Sequence, residues 1–197
     1  RPWASLDSPP AIRYNPIVPP IAPRRDAAGP AHGAPAGSPR ERMGHAVWSV
    51  EPATPADADQ VWAVTQRAFR PYQAKYPVAP EPLKETLEQV RDDIARGRVW
   101  VARSGQRVIG AVRARPLGGR SDAYEVYDLA VDPEFSQLDV GTSLVRALED
   151  RLRRQGVRAV HLQTGLRDAP AIEFWYRVGY RPYRLDPDPD PAGGYDR

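Results

Sequence analysis

Residues 124–145, YEVYDLAVDPEFSQLDVGTSLV, have the residue types and spacing that could do chemistry. The pattern predicts a strand, a short loop that carries Gly141, and the start of an amphipathic helix. The first backbone N–H groups of a helix are unpaired and the helix dipole favours negative charge there, so such a junction can bind a phosphate group. Strand-loop-helix units that bind nothing are also common. A phosphate-bearing ligand is therefore the hypothesis, and a plain structural turn is the alternative.

The composition predicts one globular domain between two disordered segments. Residues 1–43 hold 10 of the 23 prolines and show no apolar period, and residues 186–197 are rich in Asp, Pro and Gly. Such segments bury too little apolar surface to offset their ordering entropy. Because the only methionine is Met43, we expect the domain to begin near it and to cover residues 44–185.

The charge distribution argues against a nucleic-acid partner. Residues 1–43 hold six arginines and three acids, whereas residues 44–197 hold 22 basic and 22 acidic side chains, so the domain is neutral.

There is no cysteine, and the three histidines lack the spacing of metal ligands, which predicts no disulfide and no metal site. No apolar run approaches the ~20 residues of a membrane span and no signal peptide is recognisable, so we expect a cytoplasmic protein without a membrane partner.

Periodicity predicts the element order β-α-α-β-β-β-α-β-α-β, an α/β fold with a mixed sheet and helices on both faces. A strand at residues 46–51 leads into a helix that starts at Thr54 and ends near Phe69, and a second helix ends at Gly97. A hairpin at residues 98–115 then precedes the strand of the opening stretch. The helix after the loop carries one apolar stripe, formed by Val140, Leu144, Val145, Leu148 and Leu152.

The remaining elements follow that crossover helix. Residues 158–164 alternate as a strand parallel to the one before the helix. Asp168 can cap a short helix that ends at Gly179, and the last strand spans residues 180–185.

This order, with VDPEF before the crossover helix and APAIEFWYRVGYRPY near the end, resembles the GNAT superfamily of acyl-CoA-dependent N-acetyltransferases. The helix signature of that family is matched at Ala171, Ile172, Phe174, Trp175, Gly179 and Tyr180. The resemblance covers about residues 46–184. It implies acetyl-CoA as co-substrate and a fourth strand splayed from the fifth. The acyl arm would lie in that gap along Leu129, Ala130 and Val131.

In this family the pyrophosphate lies on the loop and helix start, which here are Gln137, Leu138, Asp139, Val140, Gly141 and Thr142. The family pattern places Arg or Gln, then Gly, then Gly or Ala at positions held here by Ser136, Asp139 and Gly141, and only Gly141 agrees. A register shifted to Gln137 recovers the first residue but moves Val140 off the core stripe. A carboxylate at Asp139 would repel a pyrophosphate, or cap the same N–H groups as a plain N-cap.

The resemblance also implies a base that takes a proton from the acceptor amine. Glu125 stands where histone-type members carry their general-base Glu, and Asp128 is the other candidate. Strand alternation places Glu125 and Tyr127 on one face and Asp128 and Ala130 on the other, so both acids should not reach one substrate. The alternative for either acid is a solvated charge at a strand edge.

The general acid of the family is less well matched. Many members carry Tyr at the position of Trp175, whose indole cannot donate a useful proton. Tyr176 is the neighbouring candidate, although one residue along a helix turns its side chain by ~100° and packing on the sheet is the alternative role. Asp168 stands where the family often has Asn beside the cofactor arm.

Two functions follow from the resemblance. The first is transfer of an acetyl group from acetyl-CoA to a primary amine of an unidentified small-molecule or peptidyl acceptor, directly in a ternary complex, by a monomer or homodimer. The second is a degenerate, catalytically weak or inactive domain that binds a ligand or protein, because Ser136, Asp139, Asp168 and Trp175 all depart from the family pattern. The segments at residues 70–80 and 117–122 should line the acceptor entrance.

Overall fold

The structure, a computed structural model, describes residues 11–16, 48–74, 79–165 and 168–186. Within these ranges it contains seven strands and five α-helices. The strands are β1 (Ala11–Pro16), β2 (Ser49–Pro52), β3 (Val99–Ser104), β4 (Arg107–Pro116), β5 (Ala123–Val131), β6 (Ala159–Gly165) and β7 (Tyr180–Asp186). The helices are α1 (Ala58–Gln73), α2 (Glu81–Lys84), α3 (Leu87–Ala95), α4 (Val140–Arg154) and α5 (Ala169–Val178).

The strands form one mixed sheet in the order β2-β3-β4-β5-β6-β1-β7. Its neighbours are antiparallel except β5 and β6, which are parallel and joined by the crossover helix α4. Apolar residues of α1 and α3 pack on one face, and those of α4 and α5 pack on the other. The predicted α/β fold with helices on both faces is confirmed.

Helix α4 packs directly on the middle of the sheet. Its buried residues include the five of the predicted stripe, which is therefore confirmed. At Gly110 of β4, an added Cβ atom would lie 3.0 Å from both the Ala130 carbonyl oxygen and Leu144 Cδ1. Only a glycine allows this close approach, which fixes the N-terminal half of α4 against β4 and β5.

Two predicted helix boundaries are wrong. Helix α1 does not stop near Phe69 but continues through Pro71 to its end, because a proline near a C-terminus removes only a single hydrogen bond. The predicted second helix is two helices, since Glu85 adopts an extended conformation and Thr86 starts α3 with a capping box. This break turns the Glu85 side chain towards the sheet, where it contacts Arg113.

The prediction of disorder for residues 1–43 is wrong for the six residues of β1. They pair with both β6 and β7, whose facing edges would otherwise have unpaired backbone groups. The rest of that segment, the start of the predicted strand at residues 46–51, and residues 187–197 of the predicted tail lie outside the described residues. In the part of the chain that the structure describes, no helix has the length and apolar character to cross a membrane.

Candidate active site

Strands β5 and β6 separate halfway along their length. Ala123 to Val126 pair with the start of β6, and this pairing ends at Val126 opposite Leu162. Beyond Val126, β5 continues to Val131 with β4 as its described partner. The splay implied by the resemblance is therefore present, and it leaves one edge of β5 open to an extended ligand.

Backbone N–H groups point into this opening. The Asp132 N–H donates to the Ile109 carbonyl of β4 at 2.9 Å. Because successive N–H groups of a strand point to opposite sides, the Ala130 N–H also points towards β4. The N–H groups of Leu129 and Val131 then point to the open edge, where the carbonyl oxygens of an acyl chain can accept their hydrogen bonds.

A β-bulge at Asp128 changes the direction of the side chains before this edge. Ala111 pairs with Ala130, but Arg113 pairs with Tyr127, so two residues of β5 oppose one of β4. Asp128 has φ 49°, in the left-handed region. The prediction that Glu125 and Asp128 cannot reach one substrate is wrong, because the bulge breaks the alternation and both side chains line the same cavity.

Asp132 anchors the loop that follows β5. Its side chain is 2% exposed and accepts hydrogen bonds from Arg67 of α1 and Arg107 of β4, each at 2.8 Å. It also accepts the Glu134 N–H and so caps a short 3₁₀ turn, Pro133–Phe135. Burial acts to raise the pKa of Asp132, but the hydrogen bonds from the two arginines outweigh it and hold that pKa below its ordinary value.

Replacing this carboxylate should destabilise the protein. We expect Asp132→Asn to lower the free energy of unfolding by ~1–3 kcal/mol at pH 7, because both arginines lose a charged acceptor. A carboxyl group whose pKa is depressed by folding stabilises above its unfolded pKa of about 4, and that contribution disappears as pH falls through the folded value.

Urea unfolding at pH 7 and pH 3 measures both effects. The difference between the wild type and Asp132→Asn should be large at pH 7 and shrink at pH 3. Asp122→Asn, which removes a carboxylate paired on the surface with Arg120, is the control and should change little. Equal stability of the wild type and Asp132→Asn at pH 7 would show that the Asp132 contacts contribute nothing.

The N-terminus of α4 opens into the same cavity. Asp139 occupies the N-cap position with φ 56°, and its side chain makes no capping hydrogen bond. Its carbonyl accepts the Ser143 N–H at 2.9 Å. The side-chain capping considered for Asp139 is therefore absent, and the N–H groups of the first turn remain available to an anion.

The Asp139 carboxylate nevertheless stays beside this anion site. We expect Asp139→Asn to tighten acetyl-CoA binding roughly threefold to tenfold, because it removes a negative charge while asparagine keeps the left-handed conformation. Asp139→Gly should tighten binding similarly. Calorimetry at low and high salt provides the test, since the gain should shrink as salt screens the charge. Asp150→Asn, at an exposed position of the same helix, is the control and should bind like the wild type. Equal affinities of the wild type, Asp139→Asn and Asp139→Gly would exclude repulsion by Asp139.

One cavity of about 1680 Å³ joins the open edge of β5 to the start of α4. Its wall is built from α1, α2, α3, β5, α4, β6 and α5. Of the predicted site residues it is lined by Glu125, Asp128, Leu129, Val131, Gln137, Asp139, Gly141, Thr142, Asp168 and Trp175. It therefore brings the predicted phosphate loop, acyl strand and acids together.

Four predicted site residues do not line the cavity. Ala130 and Val140 are buried in the core, and Leu138 packs against it. Tyr176 is 42% exposed, with the Arg181 guanidinium 5.1 Å from its ring centre. The position of Tyr176 argues against a role as general acid, because the ~100° turn from Trp175 directs it away from the cavity.

Two further departures from the family pattern, Asp168 and Trp175, have structural roles. The Asp168 side chain accepts the Ala171 N–H at 3.4 Å and so caps α5, as predicted. The Trp175 ring is buried between Phe174 and Tyr180, with ring-centre distances of 4.9 and 5.2 Å. Both residues therefore hold α5 in place beside the cavity.

The part of the cavity beside α1 and α2, called the acceptor end below, is lined partly by the segment that was expected to line the acceptor entrance. Pro71, Tyr72, Ala79 and Pro80 line it, while residues 75–78 lie outside the described residues. The turn at residues 117–122 does not contribute, so that prediction is wrong. The turn follows β4 at the end where β5 begins, whereas the cavity opens at the far end of β5.

A cluster of charged residues around Arg113 borders the cavity, and the sequence did not predict it. Arg113 is 1% exposed and donates both Nη groups to Glu85, one at 2.7 Å. Its Nη1 also lies 3.5 Å from Asp93 Oδ2 and 3.5 Å from Asp128 Oδ2. The available signal was the position of Arg113 between the apolar residues Val112 and Ala114 of the strand RVIGAVRAR.

No group of three or more His, Cys, Asp or Glu side chains in the described ranges is arranged to hold a metal ion.

Comparison with protein families and curated proteins identifies similar chains. A family model, the Acetyltransferase (GNAT) family, matches residues 61–180. The probable N-acetyltransferase camello of Xenopus tropicalis is 31% identical over 87 residues, which cover 44% of this chain and 40% of that protein. The S-(2-succino)cysteine N-acetyltransferase of Bacillus subtilis is 26% identical over 137 residues, covering 65% of this chain and 81% of that protein. This chain thus spans less than half the length of the camello relative.

Solved structures share the fold. PaiA N-acetyltransferase from Thermoplasma acidophilum in complex with coenzyme A aligns with a TM-score of 0.61 at 15% identity, over 68% of this chain and 89% of that one. A GNAT family acetyltransferase from Brucella melitensis in complex with acetyl-CoA aligns with a TM-score of 0.56 at 24% identity, over 72% and 87%.

Proposed function

Because the chain belongs to the Acetyltransferase (GNAT) family, we propose that it transfers the acetyl group of acetyl-CoA to a primary amine, directly in a ternary complex. One observation carries this proposal. The open edge of β5 and the start of α4, which has no side-chain cap, line a single cavity, so one extended ligand can contact both.

In this proposal the chain's backbone holds the co-substrate. The N–H groups of Leu129 and Val131 bind the acyl arm, and the first turn of α4 with Gln137 and Thr142 binds the pyrophosphate. Phe174 and Trp175 form the opposite wall. A thioester held against these N–H groups is oriented for attack, which supplies much of the rate enhancement.

The acceptor amine enters from the side of α1 and α2. An amine is protonated at neutral pH and must lose a proton before it attacks. The two carboxylates that line the cavity along β5, Glu125 and Asp128, are the available acceptors for that proton. The nitrogen then bonds to the thioester carbon, the carbon–sulfur bond breaks, and a second proton from the nitrogen ends on the CoA thiol.

Thiol release tests the proposal. The chain has no cysteine, so a thiol reagent detects free CoA without background from the protein. With acetyl-CoA and a panel containing a polyamine, an aminoglycoside and a short peptide, we expect amine-dependent release for at least one acceptor. Initial rates should give intersecting lines, as direct transfer requires. Parallel lines would contradict the ternary complex, and acetyl-CoA binding without release for any amine would favour the alternative of a binding module.

A further inference from the structure

The two carboxylates on β5 differ in their surroundings. Glu125 Oε2 accepts two hydrogen bonds from Arg115, from Nε at 2.9 Å and Nη2 at 2.8 Å. The Arg115 guanidinium is itself held over the Tyr127 ring at 4.6 Å. This pairing occupies Glu125 Oε2, so a substrate amine could contact that oxygen only by displacing Arg115.

Asp128 has no such partner of its own. Its nearest cation, Arg113, is 3.5 Å away and is already bound through both Nη groups to Glu85. Asp93 also faces Arg113, although it is further paired with Arg98 at 3.1 Å and accepts the Tyr127 hydroxyl at 2.8 Å. Three carboxylates thus share one buried guanidinium. Glu85 accepts two hydrogen bonds from it and Asp93 has a second cation in Arg98, whereas for Asp128 no second cation lies within 4 Å among the described residues.

The bulge places this carboxylate at the point where the acyl arm would run. Asp128 lies two residues beyond the last pair between β5 and β6 and directly before Leu129, whose N–H points to the open edge. Its side chain is 22% exposed and lines the cavity. A substrate amine at the thioester can therefore reach it.

Burial raises the pKa of Asp128 to about 6, with Arg113 opposing the rise, Glu85 adding to it, Arg115 opposing it and Asp93 adding to it. A carboxylate with a pKa near neutrality can accept a proton from a bound ammonium group more readily than an ordinary one. Tyr127, which also faces this region, stays protonated because burial and Asp93 raise its pKa.

We propose that Asp128, and not Glu125, takes the proton from the acceptor amine, and that Glu85 is a positioning residue that keeps Arg113 from neutralising it. This proposal rests on the proposed acetyl transfer. The R–NH₃⁺ group of the acceptor gives one proton to Asp128 and becomes the neutral nucleophile. After the nitrogen–carbon bond forms and the carbon–sulfur bond breaks, the second proton ends on the CoA thiol, and Asp128 releases its proton to solvent.

The first test compares isosteric variants at saturating acetyl-CoA. We expect Asp128→Asn to lower kcat ~10²- to 10⁴-fold while acetyl-CoA affinity, measured by calorimetry, and the circular dichroism spectrum stay at wild-type values. Glu125→Gln should lower kcat at most ~10-fold, because it weakens the contact with Arg115 but removes no proton acceptor of the reaction. Asp59→Asn, an exposed substitution on α1, is the matched control. A larger loss from Glu125→Gln than from Asp128→Asn would overturn the proposal.

The second test follows pH. In the wild type, kcat/KM should rise with pH through a midpoint near 6 as Asp128 deprotonates. In Glu85→Gln a negative charge is lost and Arg113 is freed to approach Asp128, so the midpoint should move to lower pH. A purely structural role for Glu85 would lower activity at every pH without moving the midpoint, and that outcome would overturn its assignment.

A third measurement needs no activity and separates this inference from the proposed function. In ¹³C NMR of the ligand-free protein, one Asp carboxyl carbon should titrate near pH 6, and that signal should be absent from Asp128→Asn. If the titration is seen but the wild type transfers no acetyl group, the proposed function and the role of Asp128 as base both fail, and only the raised pKa of Asp128 is confirmed. If no Asp carbon titrates above pH 5, the assignment of Asp128 as base fails.

Discussion

Arg113→Met is expected to lower the free energy of unfolding by about 3–5 kcal/mol. The guanidinium is 1% exposed, and its removal leaves the Glu85, Asp93 and Asp128 carboxylates close together without the cation that they share. Glu85 loses both of its charged hydrogen bonds, while Asp93 keeps Arg98. Methionine preserves part of the side-chain volume, so the loss reports charge more than packing.

Urea unfolding monitored by circular dichroism measures this effect. Arg96→Met is the matched control, because Arg96 forms an exposed pair with Asp92 and its replacement should change the stability little. Adding Glu85→Gln to Arg113→Met should recover part of the lost stability, since it removes one of the uncompensated carboxylates. A loss below 1 kcal/mol for Arg113→Met would mean that the cluster does not stabilise the acceptor end of the cavity.

We expect Gly141→Val to weaken acetyl-CoA binding roughly 30- to 100-fold. This corresponds to ~2–3 kcal/mol, the loss of charge-assisted hydrogen bonds from the first turn of α4 to the pyrophosphate. A Cβ atom at Gly141 would already lie 3.3 Å from the Phe174 ring and 3.6 Å from Val131 Cγ2. The two further carbons of valine would push Phe174 or the start of α4 away from the β5 edge. The N–H groups of the first turn would then no longer face the ligand.

Two controls separate this effect from loss of folding. Gly141→Ala adds only the tight Cβ contact and should weaken binding less than about fivefold. Ala147→Val introduces the same β-branched side chain elsewhere on α4, away from the cavity lining, and should leave binding unchanged. Calorimetry gives the affinities and thermal unfolding without ligand gives the stability. An affinity of Gly141→Val within threefold of wild type would show that the start of α4 does not bind the pyrophosphate.

Regular elements could be predicted from the sequence because each has a local signal. The apolar stripe of α4 repeats at helical spacing, and its buried residues are the predicted ones. The strand before it, the hairpin and the short helix capped by Asp168 have equally local patterns. The element order that follows from them was sufficient to indicate the fold family, which the family model confirms.

The chemistry of the cavity depends on features without a local signal. The bulge at Asp128 arises from the register between β4 and β5, so strand alternation alone gave the wrong face for that carboxylate. The burial of Arg113 depends on a helix break at Glu85 and on its contact with a strand 28 residues away in the chain. The pairing of β1 depends on two strands near the other end of the chain.

The positions of three departures from the family pattern weaken the case for an inactive domain. Asp168 caps α5, Trp175 packs in the core, and Asp139 turns the chain into α4 without capping it. Each of these residues lines the cavity and also has a structural role. We infer that these departures tune the affinity for acetyl-CoA and do not abolish it.

The most direct test of this account is a calorimetric titration of the wild-type protein with acetyl-CoA. We expect one site per chain with a dissociation constant of roughly 1–100 μM, and an affinity that Asp139→Asn increases and Gly141→Val decreases. No heat of binding and no thermal shift at millimolar acetyl-CoA, in a protein with a cooperative unfolding transition, would contradict it.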